Sequence, residues 1–182
     1  MWKYNDLNNL QVDLLEKGII DLPGDVDETM ALYVREAILR FITKGSPPIT
    51  IRITSTGGSV DIGLDIYDTL RHYPGNKTGL VQGYAKSMAA MMLQACNERH
   101  CMRHSRILIH HISRRQVNLD VLRDEKKIQE VRDDLEKSQA MLYKILSDRT
   151  KKTVDEIRKE CEKEREMSAE EALEFGLIDQ IV

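Results

Sequence analysis

The segment Gly83-Tyr84-Ala85-Lys86-Ser87-Met88-Ala89-Ala90 places the tightest limit on the folds open to this chain. Residues 78–81, shortly before it, are typical of a strand, whereas residues 88–95 are uncharged and include three alanines, which favours a closely packed helix. A strand that runs straight into a helix exposes one side chain at its carboxyl end, beside the free N–H groups of the first helical turn. Ser87 occupies this position.

The order of strand and helix signals indicates the fold class. Strands are predicted at residues 18–22, 49–54, 78–81 and 107–109. Helical spacing of apolar residues begins after Asp25 and again after Ser59, and Asp25 with Glu28 resembles a capping box, which predicts that Asp25 starts the first of these helices. Strand-helix-strand repeats imply right-handed crossovers between parallel strands, with ligands at the carboxyl ends of the strands. We therefore expect an α/β fold.

Size, charge and cysteine content restrict the class of protein. The 182 residues are enough for a substantial core, so we expect a single domain over residues 1–182. The net charge of −3 does not suggest nucleic-acid binding, and no apolar run is long enough to cross a bilayer. Three cysteines are an odd number and favour a reducing compartment, for which the cytoplasm is the default. We expect neither nucleic-acid nor membrane partners.

Two cysteines and two histidines lie close together in the sequence, at Cys96, His100, Cys101 and His104. Their C-x3-H-C-x2-H order is open to interpretation as a zinc site, but it matches no standard finger spacing. The segment also falls between a predicted helix and a predicted strand. We therefore interpret it as a polar connector, and we expect no metal site and no cofactor.

Residues 119–149 differ from the rest of the chain. They contain no Gly or Pro, and apolar residues recur at three- and four-residue steps between mostly charged positions. The apolar positions are Ile128, Val131, Leu135, Leu142 and Ile145. This spacing predicts one long amphipathic helix with a narrow apolar seam, which suits a partner helix as well as packing on the domain's own sheet.

Four positions have the groups that serine hydrolysis requires. The reaction needs a nucleophile, a base within hydrogen-bond reach, an acid to orient the base and N–H donors for the oxyanion. Ser87 is the candidate nucleophile, and His110, at the end of an apolar strand, is the candidate base. The backbone N–H groups of Gly58 and Met88 are the candidate oxyanion donors. Serine is also a preferred N-cap residue, so Ser87 taken alone would indicate only the start of a helix.

Five segments together resemble the proteolytic subunit of the Clp protease family. They are Thr54-Ser55-Thr56-Gly57-Gly58-Ser59-Val60, Asp65-Ile66-Tyr67-Asp68-Thr69-Leu70, residues 83–90, residues 104–110, and residues 167–172 with 175–179. They follow the family's order, and the resemblance runs from about residue 14 to residue 182. It implies the spiral of ββα units that this family shares with crotonases, with a long projecting handle over residues 112–149. It also implies a serine endopeptidase that hydrolyses peptides or unfolded proteins inside a self-compartmentalised ring.

The resemblance assigns roles to individual residues. Ser87 and His110 take the dyad roles, and the N–H groups of Gly58 and Met88 form the oxyanion hole. The family places an aspartate three residues before the Met or Leu of its Met-Ser-Ala signature, and Glu164 stands at that position here. Glu164 is therefore the expected third member of the triad. The neighbouring acids Glu160, Glu162 and Glu166 are alternatives.

The resemblance also implies stacked homo-oligomeric rings and a Clp-type ATPase as partner. Two positions that often carry tyrosines in the family's ATPase-docking cleft are Thr50 and Arg52 here, which weighs against that partner. The changed acid leaves open a second interpretation, a ring-forming scaffold subunit with weak or no catalysis. A third is a crotonase-type acyl-CoA enzyme, which has no use for a pair such as Ser87 and His110.

Overall fold

The computed structural model describes residues 9–113 and 117–182. The helices of these ranges are α1 (Asn9–Glu16), α2 (Glu28–Thr43), α3 (Val60–His72), α4 (Met88–Leu93), α5 (Leu119–Leu122), α6 (Glu125–Thr150), α7 (Val154–Glu162) and α8 (Ala169–Phe175). The strands are β1 (Ile19–Val26), β2 (Ile49–Gly58), β3 (Lys77–Lys86), β4 (Glu98–Cys101), β5 (Arg106–Leu108) and β6 (Gln180–Ile181).

A parallel sheet forms the centre of the described structure. Its strands lie in the order β1-β2-β3-β4-β6, and β5 pairs with the carboxyl-terminal end of β3. Ser55 of β2 pairs with Ala85 of β3, and Lys86 pairs with Leu108 of β5, so the carboxyl ends of these three strands are neighbours. The predicted α/β fold with parallel strands is confirmed, and this edge of the sheet is where ligands are expected.

The first strand is longer than the sequence predicts, and its length changes the start of α2. β1 continues through residues 23–26, where Asp25 pairs with Gly57 after a bulge. The proline in this stretch is tolerated because β1 is an edge strand. α2 is capped instead by Asp27, whose carboxylate accepts a hydrogen bond from the Met30 N–H at 2.9 Å. The prediction that Asp25 starts this helix was wrong, because the sheet holds Asp25.

The predicted long helix over residues 119–149 is divided into α5 and α6. The break is at Asp124, whose carboxylate accepts hydrogen bonds from the N–H groups of Lys126 and Lys127 and so starts α6. α6 has 26 residues, most of them polar or charged. Within the described ranges, no helix combines the length and the apolar character needed to cross a membrane.

The apolar seam of α6 is buried unevenly. Leu142 and Leu146, near the carboxyl-terminal end, belong to the core. Toward the other end, the seam residues are only half-buried: Ile128, Val131 and Leu135. Three apolar side chains of α5 and α6 are more than half exposed: Leu119, Leu122 and Met141. The handle region therefore leaves apolar surface open to solvent at both α5 and α6.

The segment interpreted as a polar connector contains a strand. β4 pairs with β3 so that His100 lies beside Leu80 and Cys101 beside Val81. Cys96 and Cys101 are both fully buried. The connector interpretation was wrong for residues 98–101, because these four residues form β4 and extend the sheet by pairing with β3.

Candidate active site

The end of β2 brings a glycine turn against the start of α4. Gly57 has φ +90°, and a Cβ atom there would lie 2.7 Å from the Lys86 carbonyl oxygen and 2.7 Å from the Ser87 Cβ. Both the backbone angle and the contact require glycine. The buried Ser55 hydroxyl accepts a hydrogen bond from the Gly57 N–H at 3.1 Å, which holds the turn. Gly58, the next residue, is exposed at the surface of the site.

Ser87 joins β3 to α4 in an unusual backbone conformation, with φ 54° and ψ −125°. A non-glycine residue with positive φ is uncommon, and such strain costs about 1–3 kcal/mol. The Ser87 N–H donates to the Leu108 carbonyl at 2.8 Å, which ties the junction to β5. Among the described residues the Ser87 side chain makes no capping hydrogen bond, whereas Ser59 and Ser168 each cap a helix with theirs. The geometry therefore does not support the interpretation that the Ser87 side chain only caps α4.

The first turn of α4 contributes backbone donors beside Ser87. The Met88 N–H begins the helix, so it has no acceptor within α4. All six residues of α4 are buried, and Ala89 and Ala90 allow the helix to pack closely on β2 and β3. The Met88 side chain lies against Gly63 of α3, where a Cβ would be 2.5 Å from the Met88 Cε. This packing fixes the backbone of the helix start.

His110 reaches the same edge of the sheet from β5. Lys86 pairs with Leu108, so Ser87 is one residue beyond this pair on one strand and His110 is two residues beyond it on the neighbour. His110 is half-buried, and Ile109 before it is part of the core. The two candidate members of the dyad therefore follow adjacent parallel strands.

Four of the five predicted site residues line one cavity of about 380 Å³: Gly58, Ser87, Met88 and His110. The apolar part of its lining comes from Val60, Met91, Ile109, Ile112, Leu142, Leu146 and Cys161. The polar part includes Asp25, Thr56, His111, Ser113 and Gln139. The cavity is therefore of a size that binds a small ligand or a side chain. It is lined by a hydroxyl, an imidazole, the backbone of a glycine turn and the start of a helix.

Glu164, the predicted acid, is not among the residues that line this cavity. It is exposed after α7 with φ 45°, and its N–H donates to the Cys161 carbonyl at 3.3 Å. Close by, Ile107 and Met167 form an antiparallel bridge with N–H···O distances of 3.0 and 2.7 Å. In antiparallel pairing, positions equally far from a bridge in opposite directions face each other. Glu164 stands as far before Met167 as His110 stands after Ile107, but the pairing does not continue from the bridge to these two residues.

Two of the three alternative acids are engaged by cations. Glu160 is buried and pairs with Lys163 and Arg165, and Glu166 pairs with Lys86. Glu162 is exposed at the end of α7. None of the three belongs to the described lining of the cavity. These ion pairs weigh against Glu160 and Glu166 as the triad acid.

Besides the predicted residues, the cavity lining includes Asp25, Gln139 and Cys161, which were not recognised in the sequence as site residues. The Asp25 carboxylate accepts a hydrogen bond from the Thr56 hydroxyl at 3.0 Å, beside the glycine turn. The Gln139 Oε1 accepts one from the Ile112 N–H at 2.7 Å. Burial raises the pKa of the Cys161 thiol to about 12, so this thiol is protonated at neutral pH. Only the helical spacing of Gln139 from the buried leucines of α6 could have indicated that it faces inward.

The sequence of this chain matches the model of a known protein family. A family model described as Clp protease matches residues 3–182, which is essentially the whole chain. The chain belongs to the Clp protease family. The resemblance is confirmed, and with it the Clp protease fold, in which α6 is the long helix. Membership of the Clp protease family supports a serine-type peptidase function for this chain in general.

Proposed function

We propose that this protein is a serine endopeptidase that cleaves peptides or unfolded proteins through Ser87, His110 and Glu164. One observation carries the proposal. Ser87 is held in a strained conformation without a capping role, and it shares a cavity with His110 and with the backbone of Gly58 and Met88. Backbone strain at a residue beside a cavity is a common feature of catalytic sites.

The chemical steps follow from these groups. The Ser87 Oγ attacks the carbonyl carbon of the scissile peptide bond while His110 takes the hydroxyl proton. The carbonyl oxygen becomes an oxyanion, which accepts hydrogen bonds from the N–H groups of Gly58 and Met88. His110 then donates the proton to the departing amine, leaving an ester on Ser87. Water, deprotonated by His110, hydrolyses this ester and restores the hydroxyl.

The proposed role of Glu164 is to orient the imidazole and to stabilise its charged form. The isolated bridge between Ile107 and Met167 supports this role, because it joins the strand that precedes His110 to the segment that follows Glu164. Glu164 is exposed in the single chain, so closure of the triad requires a rotation of this side chain toward the cavity. A glutamate also reaches one methylene further than the family's aspartate, and misplacement of about 1 Å costs up to a hundredfold in rate.

We further propose that the chain assembles into stacked homo-oligomeric rings through its handle region. The open apolar side chains of Leu119, Leu122 and Met141 support this proposal. Arg52 of β2 forms an ion pair of 3.3 Å with Asp21 of β1, which makes this surface polar. A polar surface weighs against docking of a Clp-type ATPase here, so we propose that the ring assembles without one. Size-exclusion chromatography with light scattering tests the ring. Leu122→Glu is expected to shift the mass toward smaller species, whereas Lys127→Glu on exposed α6 leaves it unchanged.

A second candidate function is a ring-forming scaffold with weak or no catalysis. The position of Glu164 outside the described cavity lining favours it. A scaffold would form rings and hydrolyse no peptide.

A fluorophosphonate probe, which forms a covalent bond with an activated serine hydroxyl, separates these functions. We expect rapid labelling of the wild type that disappears in Ser87→Ala. Ser168→Ala is the matched control, because Ser168 also starts a short helix but lies outside the described lining of the cavity. Labelling must persist in this control. A folded wild-type ring without any labelling would support the scaffold, and it would also leave the crotonase-type alternative open.

A further inference from the structure

An ion pair joins the strand that leads into Ser87 to the segment that contains Glu164. Its members are Lys86, the residue directly before Ser87, and Glu166, two residues after Glu164. The Lys86 Nζ donates a hydrogen bond to the Glu166 Oε1. The two residues are 80 positions apart in the sequence, so only the tertiary fold brings them together. The catalytic steps proposed above give this pair no role.

The ion pair spans β5, the strand that ends shortly before the candidate base. Ile107 of β5 pairs with Ala85 of β3 on one side and forms the antiparallel bridge with Met167 on the other. Ala85 directly precedes Lys86, and Met167 directly follows Glu166. The pair therefore links the two segments that flank β5, beside the bridge that already holds one of them to this strand.

The Lys86 side chain is oriented by its own strand. Its Nζ lies 5.3 Å from the centroid of the Tyr84 ring, which is two residues earlier and therefore on the same face of β3. The side chains of Lys86 and Glu166 are 27% and 45% exposed. A pair with this exposure contributes little to global stability, so its loss should leave the fold intact. We expect its effect on the relative position of the two segments that it joins.

The chain around Glu164 is held by charges on both sides. Glu164 has φ 45° after α7, a left-handed conformation that is usually taken by glycine at a helix end. Before it, Lys163 pairs with Glu160. After it, Arg165 pairs with Glu160 at 3.3 Å and with Glu171 at 2.7 Å. These pairs maintain the shape of the segment itself, whereas among the described ion pairs of residues 162–167 only the one with Lys86 extends to β3.

We infer that Lys86 and Glu166 are positioning residues, whose ion pair holds the segment of Glu164 close enough to His110 for Glu164 to orient the imidazole. Neither residue belongs to the described lining of the cavity, so both act through the acid and not on the substrate. The inference rests on the proposed function. Misplacement of a catalytic group by about 1 Å has a large effect on rate, so even a partly exposed contact beside the acid has a measurable consequence.

Two single substitutions remove the pair from either side. Glu166→Gln keeps the size of the side chain, and Lys86→Met keeps most of its length. Each is expected to lower kcat for a fluorogenic peptide about tenfold and to change KM less than about twofold, because the pair lies outside the described lining of the cavity. The matched control is Glu170→Gln, whose pair with Arg103 at 3.6 Å involves neither β3 nor residues 162–167. This control should keep the wild-type kcat.

Two double variants separate positioning from a merely structural role. Lys86→Glu combined with Glu166→Lys reverses the pair and should recover most of the wild-type kcat. Lys86→Glu alone places two carboxylates side by side and should lower kcat further than Lys86→Met. Adding Glu166→Gln to Glu164→Gln should have no further effect, because the pair acts through Glu164 and the two losses are then not additive.

Each outcome has a definite meaning. A lower kcat in both single variants, recovery in the reversed pair and no added loss in the Glu164→Gln background support the inference. Wild-type kcat in Glu166→Gln overturns it while the peptidase function stands. A reversed pair that is no faster than Lys86→Glu alone, or an undiminished added loss in the Glu164→Gln background, also overturns it. A wild type that neither reacts with the fluorophosphonate nor hydrolyses peptide overturns the proposed function and this inference together.

Discussion

Gly57 lies directly against Ser87, so closely that a Cβ atom on the glycine would be 2.7 Å from the Ser87 Cβ. Such a distance essentially never occurs between real side chains. The same Cβ would be 3.0 Å from the Met88 nitrogen, one of the proposed oxyanion donors. The turn after β2 and the start of α4 therefore form one close-packed unit, and the site depends on the absence of a side chain at position 57.

Gly57→Ala is expected to slow the reaction of Ser87 by about a hundredfold. The substitution adds a methyl group that pushes Ser87 and Met88 away from the turn, and displacement by about 1 Å costs on the order of a hundredfold in rate. The measurement is the rate of fluorophosphonate labelling. Gly45→Ala is the matched control, because Gly45 has φ +85° but open space around its Cβ position. It shares the backbone strain of about 1–2 kcal/mol and should label normally. Equal labelling by both variants would contradict the close packing.

Glu164→Gln is expected to lower kcat on the order of a hundredfold, because a neutral amide does not stabilise the charged imidazole of His110. Glu164→Asp restores the family's residue and should retain activity at or above the wild-type level. Glu162→Gln is the matched control on the exposed end of α7 and should leave kcat unchanged. Peptide hydrolysis under saturating substrate measures all three. If Glu164→Gln keeps the wild-type kcat, Glu164 is not the triad acid.

The sequence predicted the parts of the fold that depend on local pattern. The junction at Ser87 was predicted because a strand pattern meets a helix pattern there, and β2, β3 and β5 were each found near the predicted residues. Local pattern could not give the length of β1, because residues 23–26 extend it by pairing with the distant end of β2. The break at Asp124 was missed for a different reason, since its capping bonds outweigh a continuous helical pattern.

The candidate site was predicted only in part. Ser87, His110 and the glycine turn were recognised from motifs, and the structure brings them to one cavity. That Gln139 and Asp25 line the cavity could not be predicted, because each reaches it through tertiary packing of a helix or an edge strand. Glu164 stays a prediction, since the Ile107–Met167 bridge holds the neighbouring segment against β5 but Glu164 is not in the described lining of the cavity.

The three thiols are expected to be unreactive in the folded protein. Burial raises the pKa of Cys96 to about 12, of Cys101 to about 11 and of Cys161 to about 12. Because the thiolate is the reactive form, a disulfide reagent such as DTNB at pH 8 should modify none of them rapidly, and all three after unfolding. Lys137→Cys on exposed α6 provides a fast-reacting control. A rapidly modified native thiol in the wild type would indicate that the core around it opens.

Asp179 is expected to stabilise the fold through Arg99, whose side chain is only 6% exposed. The guanidinium donates to both Asp179 carboxylate oxygens, to the Gln94 Oε1 at 2.8 Å and to the Gly176 carbonyl at 2.9 Å. Asp179→Asn leaves this buried cation without a counter-charge. Because the carboxylate is 43% exposed and screened by water, we expect a loss of about 2 kcal/mol in the free energy of unfolding, below the range for fully buried pairs.

The contribution of Asp179 should disappear in acid. Burial alone would raise the pKa of Asp179, but the hydrogen bonds and the charge of Arg99 outweigh it and hold the pKa below its ordinary value. A carboxyl group whose pKa is lower in the folded state stabilises the fold fully above its unfolded pKa. It loses this effect as the pH falls through its lowered folded-state pKa. Denaturant unfolding of the wild type and of Asp179→Asn should therefore differ at pH 7 and converge toward pH 2. Asp148→Asn is the control, because its exposed pair with Lys144 contributes less than about 0.5 kcal/mol at any pH. A difference between wild type and Asp179→Asn that is constant from pH 7 to pH 2 would contradict a charge-dependent role.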